Sequence, residues 1–260
     1  MKLMKVLFAA MMVGVLAIAA GCGNNDKIVV ATDAAFAPFE YLDKGEIVGF
    51  DVDILEAVMA EAGLEYELKN TGWDPLFAAL DDNQVGFGIS GISITPDRME
   101  SYDFSNPYFE SKLLAVFPES LKISGMQDLA GLKIGVQNGT TGQEAVEKIL
   151  GKNHSAISKY DSTALAFMSL KAGNVDVVVT DNTVAEEYIK NNPNDKLQTY
   201  TDPTLFAPEY YAMAFPKGSE LKADIDAALQ KVIESGKYAE IFEKWFGYAP
   251  NTEVLLQKAE

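Results

Sequence analysis

Short apolar runs alternate along the chain with segments whose apolar residues recur at helical spacing. One such segment carries Ile54, Leu55, Val58 and Met59 on one face and ends at Gly63. The apolar runs lie between turn residues and predict buried strands at 27–32, 66–69, 85–89, 113–117, 133–136, 175–180 and 211–215. Helices are predicted from 49 to 63, at 73–80, from 95 to 100, after 138–144, at 164–170, at 182–191, and twice between 219 and 245 with a break near 236.

The order of these elements predicts an α/β fold with two lobes. Strands and helices alternate up to residue 100, which is typical of a largely parallel sheet, and the alternation starts again after 113–117. The last strand and the two helices after it are too short for a third domain, so we expect them to pack onto the first lobe. Lobe 1 is thus predicted to comprise 27–110 and 208–260, and lobe 2 to comprise 111–207. The two chain crossings would form a two-strand hinge beside a cleft.

The N-terminus predicts an export signal followed by a lipid anchor. Two lysines precede an apolar stretch, 6–20, that is shorter than the ~20 residues a membrane-spanning helix needs. Small residues and then Cys22, the only cysteine, resemble a bacterial lipobox. We therefore predict a signal peptide at 1–21, lipidation of Cys22 and an anchor linker at 22–26. The alternative is an ordinary secretory signal that leaves a free thiol.

Charge narrows the classes of partner. The formal net charge of −17 becomes −19 once the two lysines of the predicted leader are removed. Such a surface would repel nucleic acid and attract cationic small molecules into a cleft. His154 is the only histidine and lies in a polar loop, so neither a histidine-based catalytic triad nor a multi-histidine metal site can form. We expect neither a metal nor a cofactor.

The segment from Ser90 to Arg98 predicts an anion site. Thr95 suits the N-cap of a helix, Pro96 suits its first position, and Arg98 falls in the first turn, where backbone amides lack intrahelical partners. A carboxylate can accept hydrogen bonds from both the amides and the guanidinium. In the alternative, Arg98 only forms ion pairs on a solvated helix face. The partners would then be Asp97, Glu100 or Asp103.

Two other segments predict complementary chemistry. Thr141, with Glu144 three residues later, fits a capping box, so a second helix start would offer amides and a hydroxyl from lobe 2. Asp181 follows an apolar strand and is placed to hold an ammonium group. In the alternatives, Thr141 and Asp181 only cap helices. Together with Arg98, these groups predict a site for the α-carboxylate and α-amine of a free amino acid.

Lobe 1 is predicted to supply a pocket for the ligand side chain. Phe36 and Phe50 are expected to face each other as flat apolar walls, with Asp33 at one end. An aromatic slot closed by a carboxylate suits an extended cationic or amide-bearing side chain. Trp73 and Asp74 are further candidates. Packing in the hydrophobic core is an equally good interpretation of Phe50 and Trp73.

Six motifs are spread over the predicted mature chain. They are Val30-Ala-Thr-Asp-Ala-Ala-Phe-Ala-Pro-Phe-Glu, Val48-Gly-Phe-Asp-Val-Asp, Gly91-Ile-Ser-Ile-Thr-Pro-Asp-Arg, Gly135-Val-Gln-Asn-Gly-Thr-Thr-Gly, Thr180-Asp and Lys244-Trp-Phe-Gly. Together they resemble the polar amino-acid-binding proteins of ABC importers, above all the arginine, lysine and histidine binders of Gram-positive lipoprotein type, and next the glutamine binders.

The resemblance implies a periplasmic-binding-protein-like type II fold and a receptor without enzymatic activity. Such a receptor is a monomer at the outer face of the cell membrane or in the periplasm. It would capture a free L-amino acid between closing lobes and deliver it to the permease subunit of an ABC transporter.

The same resemblance implies a role for each candidate residue. Arg98 would pair with the ligand carboxylate, helped by Ser93 and Thr141, while Asp181 and the Gly91 carbonyl would hold the ammonium group. The candidates for contacts with the ligand side chain are Asp33, Phe36, Phe50, Ser90 and Gln137. The resemblance also makes Trp73 and Glu209 candidates for ligand contacts.

A cationic amino acid, above all arginine, is the predicted ligand, because Asp33 closes the aromatic slot and the chain is acidic. Glutamine is the alternative, since similar residues can hydrogen-bond an amide. A second alternative is a dehydratase acting on prephenate or arogenate, because some relatives of these binders resemble such enzymes. Gly86 stands where the family usually has Asp. Since it precedes the site strand, we expect it to affect strand packing or stability rather than a ligand contact.

Overall fold

The computed structural model describes residues 27–204 and 206–258. The strands are β1 Ile28–Thr32, β2 Ala35–Phe36, β3 Glu40–Asp43, β4 Glu46–Val48, β5 Tyr66–Asn70, β6 Phe87–Gly88, β7 Tyr102–Phe104, β8 Phe109–Ser111, β9 Leu113–Pro118, β10 Ile134–Gln137, β11 Ile157–Tyr160, β12 Val177–Asp181, β13 Leu197–Tyr200, β14 Glu209–Tyr211 and β15 Ala214–Pro216. The helices are α1 Phe50–Ala62, α2 Trp73–Asp81, α3 Pro96–Ser101, α4 Thr141–Leu150, α5 Thr163–Lys171, α6 Asn182–Asn191, α7 Leu221–Glu234, α8 Lys237–Phe246 and α9 Thr252–Lys258, with 3-10 turns at Met126–Leu129 and Pro193–Asp195.

Two five-stranded sheets organise the chain. Sheet 1 has the order β5-β1-β6-β15-β7, and sheet 2 has the order β11-β10-β12-β9-β13. In each sheet the first three strands in this order are parallel to one another. The fourth strand pairs antiparallel with both the third and the fifth. The predicted α/β fold with two lobes is confirmed, and the largely parallel character holds for part of each sheet.

Two short strands connect the sheets. β8 pairs antiparallel with β14, in the register Ser111 to Glu209 and Phe109 to Tyr211. The chain leaves sheet 1 through β8, builds sheet 2 with strands between 113 and 200, and returns through β14 to add β15 to sheet 1. These two strands are the predicted hinge, and they lie beside the cleft between the sheets.

Most local predictions are confirmed. Helix α1 buries the predicted apolar face and ends at Gly63, whose left-handed backbone (φ 68°) allows its amide to close the last turn. Strand 85–89 is shorter than predicted, since only Phe87–Gly88 pairs in the sheet. The predicted strand at 211–215 is wrong: the chain changes partners there, so Tyr211 ends the hinge pair and Ala214 starts the sheet-1 strand.

An aromatic core supports the hinge from the side of sheet 1. Phe50 of α1 lies 5.6 Å from Phe109 of β8 and 5.1 Å from Phe246 of α8, measured between ring centroids. Phe109 also stacks on Tyr211 of β14 at 5.6 Å. Because these rings come from α1, α8 and both hinge strands, their packing fixes the hinge against sheet 1.

Candidate ligand-binding site

A cavity lies between the two sheets. Asp33 follows β1, Ser90 lies shortly after β6, and Gln137 and Asp181 end β10 and β12, so the cavity lies at the carboxyl ends of parallel strands. Its lining residues are Asp33, Phe36, Glu40, Trp73, Ser90, Gly91, Ser93, Arg98, Gln137, Thr140, Thr141, Gly142, Thr163, Val179, Thr180 and Asp181.

Arg98 reaches the cavity from the first turn of α3. Thr95 is the N-cap, as predicted, and its hydroxyl accepts a hydrogen bond from the Arg98 amide at 3.2 Å. The guanidinium donates to the carbonyl of Ser93 at 2.8 Å and to the carbonyl of Gly139, beyond β10, at 3.0 Å. Arg98 therefore bridges the two sides of the cleft. Asp103, one of its alternative partners, pairs with Lys217 instead, at 3.0 Å.

The guanidinium also lies over aromatic rings and near acidic groups. Its central carbon is 5.4 Å from the ring centroids of both Trp73 and Phe77. Burial lowers the pKa of Arg98, and the charges of Glu144, Glu209 and Asp181 act against that shift. Arg98 is half-buried and therefore a partly desolvated cation, an environment in which an incoming carboxylate gains more from a charged hydrogen bond than it does in water.

The start of helix α4 differs from the prediction by one residue. Thr140 is the N-cap, since its backbone is extended and its hydroxyl accepts from the Gln143 amide at 3.3 Å. The predicted capping box of Thr141 and Glu144 is therefore wrong. Thr141 is instead the first helical residue, and its hydroxyl donates to Glu209 Oε2 at 2.8 Å. Both threonines line the cavity.

Asp181 is held by the hinge. It occupies the N-cap position of α6, but its side chain caps no amide there. Its carboxylate accepts a hydrogen bond from the Ser111 hydroxyl of β8 at 2.8 Å, and the Tyr211 hydroxyl of β14 donates to that Ser111 hydroxyl at 3.1 Å. Burial and the nearby charge of Glu209 raise the pKa of Asp181 to about 6, although the two hydroxyls oppose that shift. The hinge strands thus orient this carboxylate through the Ser111 hydroxyl, which Tyr211 holds in place.

Glu209 connects the two sides of the cleft without lining the cavity. Its Oε2 accepts hydrogen bonds from the Ser93 hydroxyl at 2.6 Å and from the Thr141 hydroxyl at 2.8 Å. Ser93 lies in the segment before α3 and Thr141 begins α4, so one carboxylate oxygen joins segments from both sides.

Asp33 and Gln137 make a second connection across the cleft. Asp33 is only 7% exposed, and its Oδ2 accepts a hydrogen bond from Gln137 Nε2 at 3.1 Å. Gln137 Oε1 in turn accepts from the amide and the hydroxyl of Thr163, at 3.2 and 2.9 Å, which fixes the orientation of the amide group. Burial raises the pKa of Asp33, and the hydrogen bond from Gln137 counteracts it.

The aromatic walls differ from the prediction. Phe36 and Trp73 line the cavity, whereas Phe50 does not. Phe50 is 0% exposed because its ring packs into the core between α8 and the hinge strands. The expectation that Phe36 and Phe50 face each other across the slot is therefore wrong, and the core interpretation of Phe50 is correct.

Two glycines near the site have different roles. Gly91 has a left-handed backbone (φ 53°), and a Cβ there would lie 2.8 Å from the Phe36 ring, so a side chain would displace the wall of the cavity. Gly86 lies away from the cavity. A Cβ at Gly86 would lie 2.6 Å from Ile28 Cγ2, so an Asp at this position requires different packing of β1.

Sequence reasoning missed several lining residues. They are Glu40, Thr140, Gly142, Thr163, Val179 and Thr180. Glu40 ends the Phe-Ala-Pro-Phe-Glu motif and Thr140 precedes a predicted site residue, so the motifs themselves could have indicated both residues. Thr163 is presented by the start of α5, and the sequence around it carries no comparable signal.

The fold defines a two-lobed binding protein, and the cavity lies beside the hinge. The chain belongs to the bacterial extracellular solute-binding proteins, family 3, whose model matches residues 28–248.

Known relatives share most of their length with this chain. It is 40% identical over 232 residues to a probable histidine-binding protein of Neisseria gonorrhoeae, covering 88% of this chain and 86% of that protein. It is 30% identical over 234 residues to the arginine-binding extracellular protein ArtP of Bacillus subtilis, covering 86% and 91%. The crystal structure of the arginine-, lysine-, histidine-binding protein ArtJ from Geobacillus stearothermophilus is 59% identical, with a TM-score of 0.87, and covers 89% of this chain and 100% of that one.

The predicted signal peptide (1–21), lipidated Cys22 and linker (22–26) lie outside the described residues. Within 27–204 and 206–258, no helix has the length and apolar character needed to cross a membrane.

Proposed function

We propose that this protein is an extracytoplasmic receptor for a free cationic amino acid, most closely suited to arginine, which it passes to the permease of an ABC transporter. Membership of the family and the names of the relatives support the receptor class. The observation that carries the ligand class is that Arg98 and Asp181 line one cavity together with Asp33. These groups suit a carboxylate, an ammonium and a second cation.

The α-carboxylate and α-ammonium groups of the amino acid are assigned to the side of the cavity near the hinge. Arg98 would bind the carboxylate, with the Ser93 and Thr141 hydroxyls as further donors once they exchange Glu209 for the ligand. Asp181 would accept from the ammonium group, helped by the carbonyl of Gly91. The raised pKa of Asp181, about 6, still leaves the carboxylate ionised at pH 7.

The side chain of the ligand is assigned to the space between Phe36 and Trp73. Flat apolar walls favour a planar guanidinium by stacking and cation–π attraction. Asp33 and Ser90 would provide the polar end, and Gln137 would contact the ligand from sheet 2. Glutamine is the second candidate, since Asp33, whose pKa is raised by burial, and the Gln137 amide suit an amide ligand too.

The function is non-catalytic in this proposal. His154, the only histidine, accepts a hydrogen bond from the Ala156 amide in a surface loop and does not line the cavity. A carboxylate-based dehydratase is tested separately, by incubating the protein with prephenate and with arogenate. Turnover of either substrate would overturn the receptor assignment.

We also propose lobe 1 as 27–110 and 208–260, lobe 2 as 111–207, a monomeric state, and membrane attachment through Cys22. The hinge pairing of β8 with β14 supports the lobe boundaries. Metabolic labelling with a radioactive fatty acid, with Cys22→Ser as the control, tests the anchor.

Calorimetric titration with arginine, lysine, histidine, glutamine and glutamate tests the ligand class. We expect the cations to bind most tightly and glutamate to bind most weakly, because Asp33 and the acidic surroundings oppose a second negative charge. Glutamine binding more tightly than every cation would refute the assignment.

A further inference from the structure

Two fully buried carboxyl groups lie behind the side-chain end of the cavity. Glu40 and Asp51 are both 0% exposed. Glu40 Oε1 accepts a hydrogen bond from the Ser90 hydroxyl at 2.8 Å. Asp51 Oδ2 accepts from the Gly91 amide at 2.9 Å and from the Tyr108 hydroxyl at 2.7 Å. The two carboxyls therefore hold adjacent residues of the same site segment.

The other oxygen of each carboxyl has no donor. Glu40 Oε2 and Asp51 Oδ1 receive no hydrogen bond from any N–H or O–H group of the described residues. The two side chains lie close enough to each other to interact directly. Two carboxylates have only acceptors, so a hydrogen bond between these side chains requires a proton on one of them.

The surroundings favour keeping that proton. Burial raises the pKa of Glu40 well above its ordinary value and that of Asp51 to about 6. The charged and titratable groups that face the pair are Asp33, which repels a second negative charge, Tyr108, which donates a hydrogen bond, and Tyr238, which interacts with the charge of Asp51. None of the salt bridges within 27–204 and 206–258 involves either carboxyl, and no three potential ligand side chains in those ranges are grouped to hold a metal ion.

We propose that Glu40 and Asp51 share one proton in the ligand-free protein, and that a cationic ligand side chain entering the cavity releases this proton to solvent. Glu40 lines the cavity beside Asp33 and Ser90, so it is the member of the pair that the ligand side chain would approach. The carboxyl O–H bond breaks, the proton goes to water or buffer, and the pair changes from one negative charge to two. The inference rests on the proposed function, because it needs a cationic ligand in this cavity.

Proton release gives the site a way to distinguish cations from neutral amino acids. A guanidinium or ammonium stabilises the second carboxylate, whereas an amide or urea does not. By linkage, the affinity for a cation then rises with pH, by at most about tenfold per pH unit, until the free pair has itself lost the proton. The affinity for a neutral side chain lacks this contribution.

Calorimetry in two buffers measures the released proton directly. The two ligands are arginine, which carries a guanidinium, and citrulline, which carries a neutral urea in its place. Each would be titrated at pH 7 in phosphate and in Tris, because the enthalpies of ionisation of these buffers differ widely. We expect arginine to release more protons than citrulline or glutamine, by up to one per site. Comparison of these ligands removes contributions from their shared carboxylate and ammonium groups.

Variants assign the proton to the pair. Glu40→Gln keeps a partner for Ser90 but has no proton to lose, so the excess release with arginine should disappear while arginine still binds. Glu46→Gln, an exposed residue of β4, is the matched control and should keep the excess. Asp51→Asn replaces Glu40→Gln if that variant does not fold.

Two results would overturn the inference and leave the receptor in place. One is arginine binding with no more proton release than citrulline or glutamine. The other is an unchanged excess in folded Glu40→Gln or Asp51→Asn. Failure of arginine to bind at all would instead refute the proposed function.

Discussion

Gln137 of β10 donates a hydrogen bond to Asp33, which follows β1, with 3.1 Å between Nε2 and Oδ2. The donor belongs to sheet 2 and the acceptor to the sheet-1 side of the cleft. The two residues proposed to contact the ligand side chain thus contact each other. A cationic side chain would compete with the Gln137 amide for Asp33, and it would win because a charged donor forms the stronger hydrogen bond with a carboxylate.

Asp33→Asn is expected to weaken cationic ligands selectively. Loss of a hydrogen bond to a charged group costs about 1.5–3 kcal/mol, which corresponds to about a 10- to 100-fold loss of affinity for arginine and lysine. Glutamine should change much less, because an Asn amide still hydrogen-bonds an amide. Titration of both ligands into the variant and the unmodified protein checks this, and equal losses would contradict the role of Asp33.

Arg98→Ala is expected to weaken every amino acid together. All of them carry the α-carboxylate, and the variant also leaves the Ser93 and Gly139 carbonyls without their donor. We expect a loss of at least about 100-fold. Arg98→Lys keeps the charge without the two-pronged geometry and should give an intermediate loss. If Arg98→Ala bound arginine normally, the carboxylate site would lie elsewhere.

Glu209→Ala is expected to favour an open arrangement of the lobes. Its Oε2 joins Ser93 to Thr141, so its removal breaks two hydrogen bonds across the cleft. Small-angle scattering of the ligand-free variant should show a larger radius of gyration. Glu110→Ala, an exposed residue on the other hinge strand, is the control. An unchanged radius would show that other contacts close the cleft.

Asp181 is expected to make binding of all amino acids sensitive to pH near 6. Its pKa is raised to about 6, so it loses its charge as the pH falls below that value and can no longer balance the ligand ammonium. Glutamine affinity should therefore fall between pH 7 and pH 5, by at most about tenfold per unit. Asp181→Asn should bind weakly and with little dependence on pH over that range. Glutamine is the informative ligand, because the Glu40–Asp51 proton does not affect it.

Truncation of Phe50 is expected to affect stability alone, whereas truncation of Trp73 should also affect ligand binding. Phe50→Ala removes a fully buried ring and should lower the free energy of unfolding by about 3–5 kcal/mol. Trp73→Ala should weaken arginine binding as well as lower the free energy of unfolding, because Trp73 lines the cavity, lies against Arg98 and is only 7% exposed. Denaturant unfolding and calorimetry on both variants separate the two. If Phe50→Ala had normal stability but did not bind arginine, Phe50 would be part of the ligand slot after all.

The sequence predicted the features that depend on neighbours along the chain. Gly63 ends α1, Thr95 caps α3 and Arg98 falls in its first turn, since capping and helical spacing need only a few adjacent residues. The two-lobed fold could also be predicted, because the alternation of strands and helices restarts within the chain.

Sequence reasoning failed where the answer depends on distant residues. Phe50 and Trp73 both begin helices, and only packing against Phe246, almost two hundred positions away, decides that Phe50 belongs to the core. Thr140 and Thr141 are adjacent threonines. The position at which α4 begins decides that Thr140 is the N-cap and that the Thr141 hydroxyl donates to Glu209.

By itself the sequence determined the set of elements, the arginine at a helix start and the carboxylates at strand ends, because these follow from local propensity and spacing. Only the tertiary structure decided which side chains line the cavity, and that Glu40 and Asp51 meet behind it. The hydrophobic core and the hinge pairing bring residues into contact across the whole chain, and burial then changes the charge states of the carboxyls that meet there.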